Sequence, residues 1–193
     1  MAELIVAGLT RPFPGETVSG DTFFHTSSPT GCRICVIDGA GHGRLANQAS
    51  TIARDTLLEL ASQPVDVAFR ACHSRLHGTR GAVVSIVDVT GDVVSFSGVG
   101  NVDARLISPT GQHRFAPDRG LLGASFPRLH TWTHPIESTS WRLLVFSDGV
   151  MQRMHLEWQD VADLSEADAL VERLLAKWGR STDDATLVIA GPP

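Results

Sequence analysis

The order of hydrophobic periodicities constrains this chain more than any single residue does. A strand-like run is followed by two helical patterns, a long β-branched stretch, a third helical pattern and a final strand. Residues 32–38 form an apolar run that stops at Gly39-Ala40-Gly41, which predicts a strand delivering Asp38 into a tight glycine loop. Leu45, Ala49, Ile52, Ala53, Leu57 and Leu60 recur at helical spacing across 45–62, and Val65, Phe69, Cys72 and Leu76 do so beyond Pro64. Two helices on one sheet face are expected. The runs 82–89 and 93–99, joined at Thr90-Gly91-Asp92, and 104–108, turning at Pro109-Thr110-Gly111, predict an antiparallel meander. Residues 117–127 read as a loop, and 132–136 and 141–147 as strands, the second ending on Asp148-Gly149. Ser165 reads as a helix N-cap with Asp168 at N3, before a stripe of Leu170, Val171, Leu174, Leu175 and Trp178 that ends at Gly179. A last strand at 185–190 begins directly after Asp183-Asp184. Because strands and helices do not alternate, the pattern argues for an α+β fold, antiparallel sheet layers covered by helices, and against a Rossmann fold.

The 193 residues, 42% hydrophobic and 19% charged, can bury one continuous core, so a single domain over 1–193 is expected. A net charge of -5 with scattered Lys and Arg gives no electrostatic case for nucleic acid. No apolar stretch approaches the roughly 20 residues needed to cross a bilayer, so no membrane partner is expected. The apolar segment 4–9 follows Glu3 instead of a basic region and reads as a first strand, not a signal peptide. Three cysteines cannot all pair, which fits a reducing, cytoplasmic location. Cys32 and Cys35 lie in a predicted strand, where residues three apart face opposite sides, so they read as buried thiols instead of a zinc or redox pair.

Asp38 and Asp148 each end an apolar strand and precede glycine, while Asp183 and Asp184 stand just before another strand. Antiparallel neighbours place the end of one strand beside the start of the next, so these carboxylates can converge at one sheet edge. Converging carboxylates repel unless cations hold them, and oxygen-only ligation suits Mg²⁺ or Mn²⁺, ions that commonly work on phosphate. Any single Asp-Gly pair is more often an ordinary turn; the joint arrangement is what points to phosphoryl chemistry.

The segments Ser19-Gly20-Asp21-Thr22-Phe23-Phe24, Val36-Ile37-Asp38-Gly39-Ala40-Gly41-His42-Gly43, Arg80-Gly81-Ala82, Gly98-Val99-Gly100-Asn101, Phe146-Ser147-Asp148-Gly149 and Thr182-Asp183-Asp184-Ala185-Thr186-Leu187 occur in order along the chain. Together they resemble the metal-dependent protein phosphatases of the protein phosphatase 2C and SpoIIE type, and the compact length is similar to the RsbX-type stand-alone members. The resemblance implies an α/β/β/α sandwich with two Mn²⁺ or Mg²⁺ ions at one end of the paired sheets. It implies that Asp38 bridges the ions with the Gly39 carbonyl as a further ligand, that Asp148 and Asp183 complete the direct ligands, and that Asp21 acts through a bound water. By the same resemblance Asp184, where relatives carry Asn or Asp, is expected behind these ligands. The implied substrate is a phosphorylated protein, a STAS-domain component of a stressosome-like complex in bacterial stress signalling.

Two positions depart from the family pattern. Ala40 stands where eukaryotic relatives carry a His proton donor, which leaves His42 as the candidate, and Thr17 stands where they carry a phosphate-binding Arg. Phosphate-monoester hydrolysis needs accelerations of up to roughly 10²¹-fold, more than one general base supplies. A cysteine phosphatase needs Arg six positions after its Cys, and those positions are Asp38, Gly41 and Gly78. His130 and His134 read as rim residues, and Asp88, Asp92, Asp103 and Asp118 as solvated ones. The alternative to an enzyme is a phosphatase-fold module that binds phosphoproteins with little turnover.

Overall fold

The structure is a computed structural model that describes residues 4–126 and 128–193; residue 127, the last of the expected loop 117–127, lies outside the described residues. In chain order the elements are β1 (Ile5–Arg11), β2 (Asp21–Ser28), β3 (Gly31–Gly39), α1 (Gly43–Glu59), α2 (Val65–Arg75), β4 (Ala82–Thr90) and β5 (Val93–Val99). They continue with β6 (Asp103–Ser108), β7 (Gly111–Phe115), β8 (Trp132–Pro135), β9 (Arg142–Phe146), α3 (Trp158–Val161), α4 (Ala167–Trp178) and β10 (Ala185–Gly191). Two five-stranded sheets result, ordered β1-β10-β9-β6-β7 and β2-β3-β4-β5-β8, and every strand pair in them is antiparallel.

The alternation of side chains along each central strand builds three apolar layers. On β3, Ile34 and Val36 enter the layer between the sheets, while Cys35 and Ile37 pack with Ala49, Ala53, Leu57, Phe69 and Cys72 of α1 and α2. On β9, Leu143 and Val145 face the other sheet, and Leu144 and Phe146 face Leu170, Val171, Leu174 and Leu175 of α4. Strands covered on both faces have no solvent side to mark with polar residues, which is why they read as unbroken apolar runs. The α/β/β/α sandwich and the paired helices on one face are as expected.

Three local expectations need correction. The meander is split: β4 and β5 pair in one sheet, whereas β6 pairs with β7 and β9 in the other. The chain crosses between sheets at Gly100, whose φ of +111° and close packing on the Val83 side chain leave no room for a Cβ, and Ser85 Oγ donates to the Val102 carbonyl at 2.7 Å. Ser165 is not the cap of α4. Its N–H donates to the Asp163 carboxylate at 2.8 Å, and Glu166 holds the cap position. Asp88 and Asp118 are not simply solvated, since Asp88 receives a bidentate pair from Arg33 at 2.7 and 2.9 Å and Asp118 accepts from the His130 N–H at 2.7 Å.

Arg105 and Arg142 are buried against backbone carbonyls. Arg105 donates to Met154 and Gln152 at 2.5 and 2.7 Å, and Arg142 donates to Val161, Trp141 and Pro192 at 3.1, 2.8 and 3.0 Å as well as to Ala162. They anchor the irregular segment 150–163 to the sheet that carries β9. Among the described residues no helix is long and apolar enough to cross a membrane.

Candidate active site

The register of β2 and β3 sets Asp21 directly opposite Asp38. In the other sheet Leu187 pairs with Phe146, so Asp148, two residues past Phe146, lies beside the segment of Asp183 and Asp184 that leads into β10. The two sheet ends are joined by a buried hydrogen bond in which Ser147 Oγ donates to Asp21 Oδ2 at 2.6 Å. All the acids expected at the site therefore gather at one edge of the sandwich.

The glycine after each strand-ending acid serves close approach, not a turn. Neither Gly39 nor Gly149 has a positive φ, yet a Cβ at Gly149 would strike the Asp184 carbonyl oxygen, and one at Gly39 would strike the Ala46 carbonyl oxygen in the first turns of α1. Gly39 N–H donates to the Gly20 carbonyl at 3.1 Å, which holds the end of β3 against the turn before Asp21. Backbone segments bearing the acids can pack this tightly only where no side chain intervenes.

Clustering shows in the proton affinities. Burial pushes Asp38 well above the ordinary carboxylate range, reinforced by the charges of Asp21, Asp148, Asp183 and Asp184. Asp21 is pushed up to about 7, chiefly by burial, with the Ser147 hydroxyl opposing and Asp184 adding to the rise. Asp183 is raised by burial and then by Asp148. A cation at this edge would relieve the repulsion that raises them, and the donors are all oxygen, so the residues fit a hard divalent ion. Among the described residues no three His, Cys, Asp or Glu side chains are gathered closely enough to form one ion's direct protein shell.

The chain matches no family model. It is 30% identical to the phosphoserine phosphatase RsbX of Bacillus subtilis (strain 168) over 160 residues, 79% of this chain and 80% of that protein. The chain belongs to the RsbX family of phosphoserine phosphatases. A chain solved in work on the bacterial stressosome, as a modular system adapted to control secondary messenger signalling, superposes with a TM-score of 0.89 at 28% identity, over 97% of this chain and 99% of that one. RsbX in complex with magnesium shares the fold at a TM-score of 0.82 and 24% identity, over 97% and 94% of the two chains. So does the Mycobacterium tuberculosis serine/threonine phosphatase PstP/Ppp, at 0.79 and 15% identity over 98% of each chain.

Within this RsbX-family chain several neighbours of the acids carry roles that motif reading leaves open. Asn101 Nδ2 donates to Asp148 Oδ2 at 2.7 Å. Asp184 accepts from Phe13 N–H, Ser19 Oγ and Gly20 N–H at 2.8, 3.1 and 3.0 Å, so its carboxylate is spent on fixing the turn before Asp21. Asn47 of α1 donates to the Ser19 carbonyl at 2.8 Å and holds the same turn from the helix side. His42 occupies the position before α1 without capping it by a side-chain hydrogen bond, stacks on Phe13 at 4.3 Å and shares a 3.1 Å contact between its Nδ1 and Glu16. The three cysteines are free and buried, Cys32 on the inter-sheet side of β3 and Cys35 on the helix side. Burial pushes their thiols up, that of Cys72 to about 12, which keeps them protonated and unreactive.

Proposed function

We propose that this chain is a Mn²⁺- or Mg²⁺-dependent serine/threonine phosphatase acting on a phosphorylated STAS-domain protein of a stressosome-like complex. The carrying observation is the convergence of Asp38, Asp148 and Asp183, with Asp21 behind them, at one sandwich edge. In this reading Asp38, Asp148, Asp183 and the Gly39 carbonyl hold the ions, and Asp21 contributes through a bound water. Bound divalent ions supply an activated water and neutralise charge on the phosphoryl oxygens. Asn101 and Ser147 orient the carboxylates of Asp148 and Asp21. His42 is the proton donor to the leaving serine or threonine oxygen; with Nδ1 against Glu16, the ring must be doubly protonated to give a proton from Nε2.

Ions and water treat most phosphomonoesters alike, so selectivity has to come from surfaces around the site. The loop from residue 117 is built for this, because it is fastened at the site: Asp118 bonds the backbone of Gly98 and Gly100 at 2.8 Å each, and Leu122 pairs with Ala82. Likeness to RsbX and to a chain solved in work on the bacterial stressosome supports a STAS-domain target. The test is the rate of phosphate release from a phosphorylated STAS partner against an unstructured phosphopeptide of the same sequence, at equal Mn²⁺. Much faster release from the folded partner is expected; equal rates would rule out recognition of the folded domain.

A further inference from the structure

We propose that Arg80 is the cation that binds the phosphoryl oxygens of the substrate. The inference rests on the phosphatase reading and deepens it by supplying the phosphate contact that Thr17 cannot make. Arg80 stands in the turn between α2 and β4, and this turn is tied to the loop following Asp38, since Ala40 N–H donates to the Gly81 carbonyl at 3.0 Å. The guanidinium lies across that loop. A Cβ at Gly41 would come within 2.5 Å of Arg80 Nη1, and only the Arg80 guanidinium comes within 4 Å of that point. Gly41, at φ +85°, thus leaves open the space that the guanidinium occupies three residues from Asp38.

The charge of Arg80 is also unspent. It is exposed, and among the described residues it forms no ion pair, whereas Arg33, Arg54 and Arg75 each pair with a carboxylate. Arg105 and Arg142 are committed to backbone carbonyls, Arg11 donates to the Arg180 carbonyl, and the charge of Arg180 acts on Asp183. An exposed arginine held on the loop that follows Asp38, with no ion pair among the described residues, is positioned for an anion that the acids alone would repel. A phosphate monoester is such an anion, and the guanidinium fork matches two of its oxygens.

The experiment uses the full chain with Mn²⁺, an aryl phosphate as substrate, and inorganic phosphate as both competitive inhibitor and calorimetric ligand. Arg80→Ala is expected to raise KM and to weaken phosphate binding about tenfold or more, the loss of a charged hydrogen-bond donor. The Mn²⁺ concentration for half-maximal rate and the unfolding midpoint should stay put. Arg80→Lys should recover part of the loss, and added guanidinium at millimolar level should partly rescue Arg80→Ala. Unchanged KM and phosphate affinity in folded Arg80→Ala would overturn the assignment. So would a changed Mn²⁺ requirement with unchanged phosphate binding, because Arg80 would then only shape the loop. Were the wild type inert with Mn²⁺, the phosphatase reading would fall, and calorimetry would still decide Arg80: phosphate heat lost in the variant upholds it, and equal heats overturn it.

Discussion

Asn101 touches Asp148 through a single 2.7 Å hydrogen bond that aims the carboxylate toward the other acids. Partners that orient a ligand are typically worth about 10–100-fold in metal affinity or activity. Asn101→Ala should therefore lower kcat/KM by about that factor at fixed Mn²⁺ while the circular dichroism spectrum stays the same; a wild-type value would show that the bond is incidental. Asp21 carries a second consequence. Its folded pKa of about 7 lies above the ordinary carboxylate value of 3.8, so between those limits the folded state holds a proton that the unfolded state has released. Stability of the chelated protein should then fall as pH rises from about 4 to about 7, the sign opposite to that of a salt-bridged carboxylate. Thermal unfolding in chelator at pH 5 and pH 7.5 checks this, and Mn²⁺ should abolish the difference. Asp38, Asp148 and Asp183 were legible in the sequence because several carboxylates at strand ends have fewer joint uses than any one has alone, and Asp21 because it stands in a segment that resembles the family. The bonds made by Asn101 and Ser147 were not, although both residues lie in those segments, because an amide or hydroxyl beside a strand has many partners open to it, and only the meeting of two sheets reveals which one applies.

At the level of elements, Gly149 joins the end of β9 to the approach to β10. A Cβ there would run into the Asp184 carbonyl oxygen, a backbone atom that cannot rotate away. Gly149→Ala should thus cost about 1–3 kcal/mol of stability, as overpacking does, and should separate Asp148 from Asp183. Denaturant unfolding and the Mn²⁺ dependence of the rate measure the two effects, and a variant as stable and as active as wild type would contradict the packing described. Helices α1, α2 and α4 and the central strands announce themselves through periodicity. The strands β2 and β7 do not: both lie at sheet edges, and their exposed positions carry His, Ser, Gly, Gln and Arg in place of an apolar alternation. The switch of sheets between β5 and β6 was equally hidden, since a hairpin meander and a crossover share the same local pattern until long-range pairing is known.

The described residues form two sheets between two helical layers, and one edge of the sandwich collects the strand ends bearing Asp21, Asp38, Asp148 and Asp183. The helices, the central strands and the strand-end places of Asp38, Asp148 and Asp183 could be read from the chain, because they follow from which faces must be buried, whereas the place of Asp21 and the four-layer arrangement came from the resemblance. What could not be read is how the edge is held shut: the cross-sheet bond from Ser147 to Asp21, the anchoring of 150–163 by Arg105 and Arg142, and the packing of Arg80 on the Gly41 loop. The central claim is that the acids act by holding divalent cations against a phosphoester. It is tested most directly by hydrolysis of an aryl phosphate with Mn²⁺ or Mg²⁺ added, and again with excess chelator, for wild type, Asp38→Asn and Asp148→Asn. The account predicts cation-dependent turnover that chelator stops, and loss of turnover in both variants without loss of fold, since removing a carboxylate from the cluster relieves repulsion. Undiminished activity in excess chelator, or wild-type rates in either variant, would contradict it.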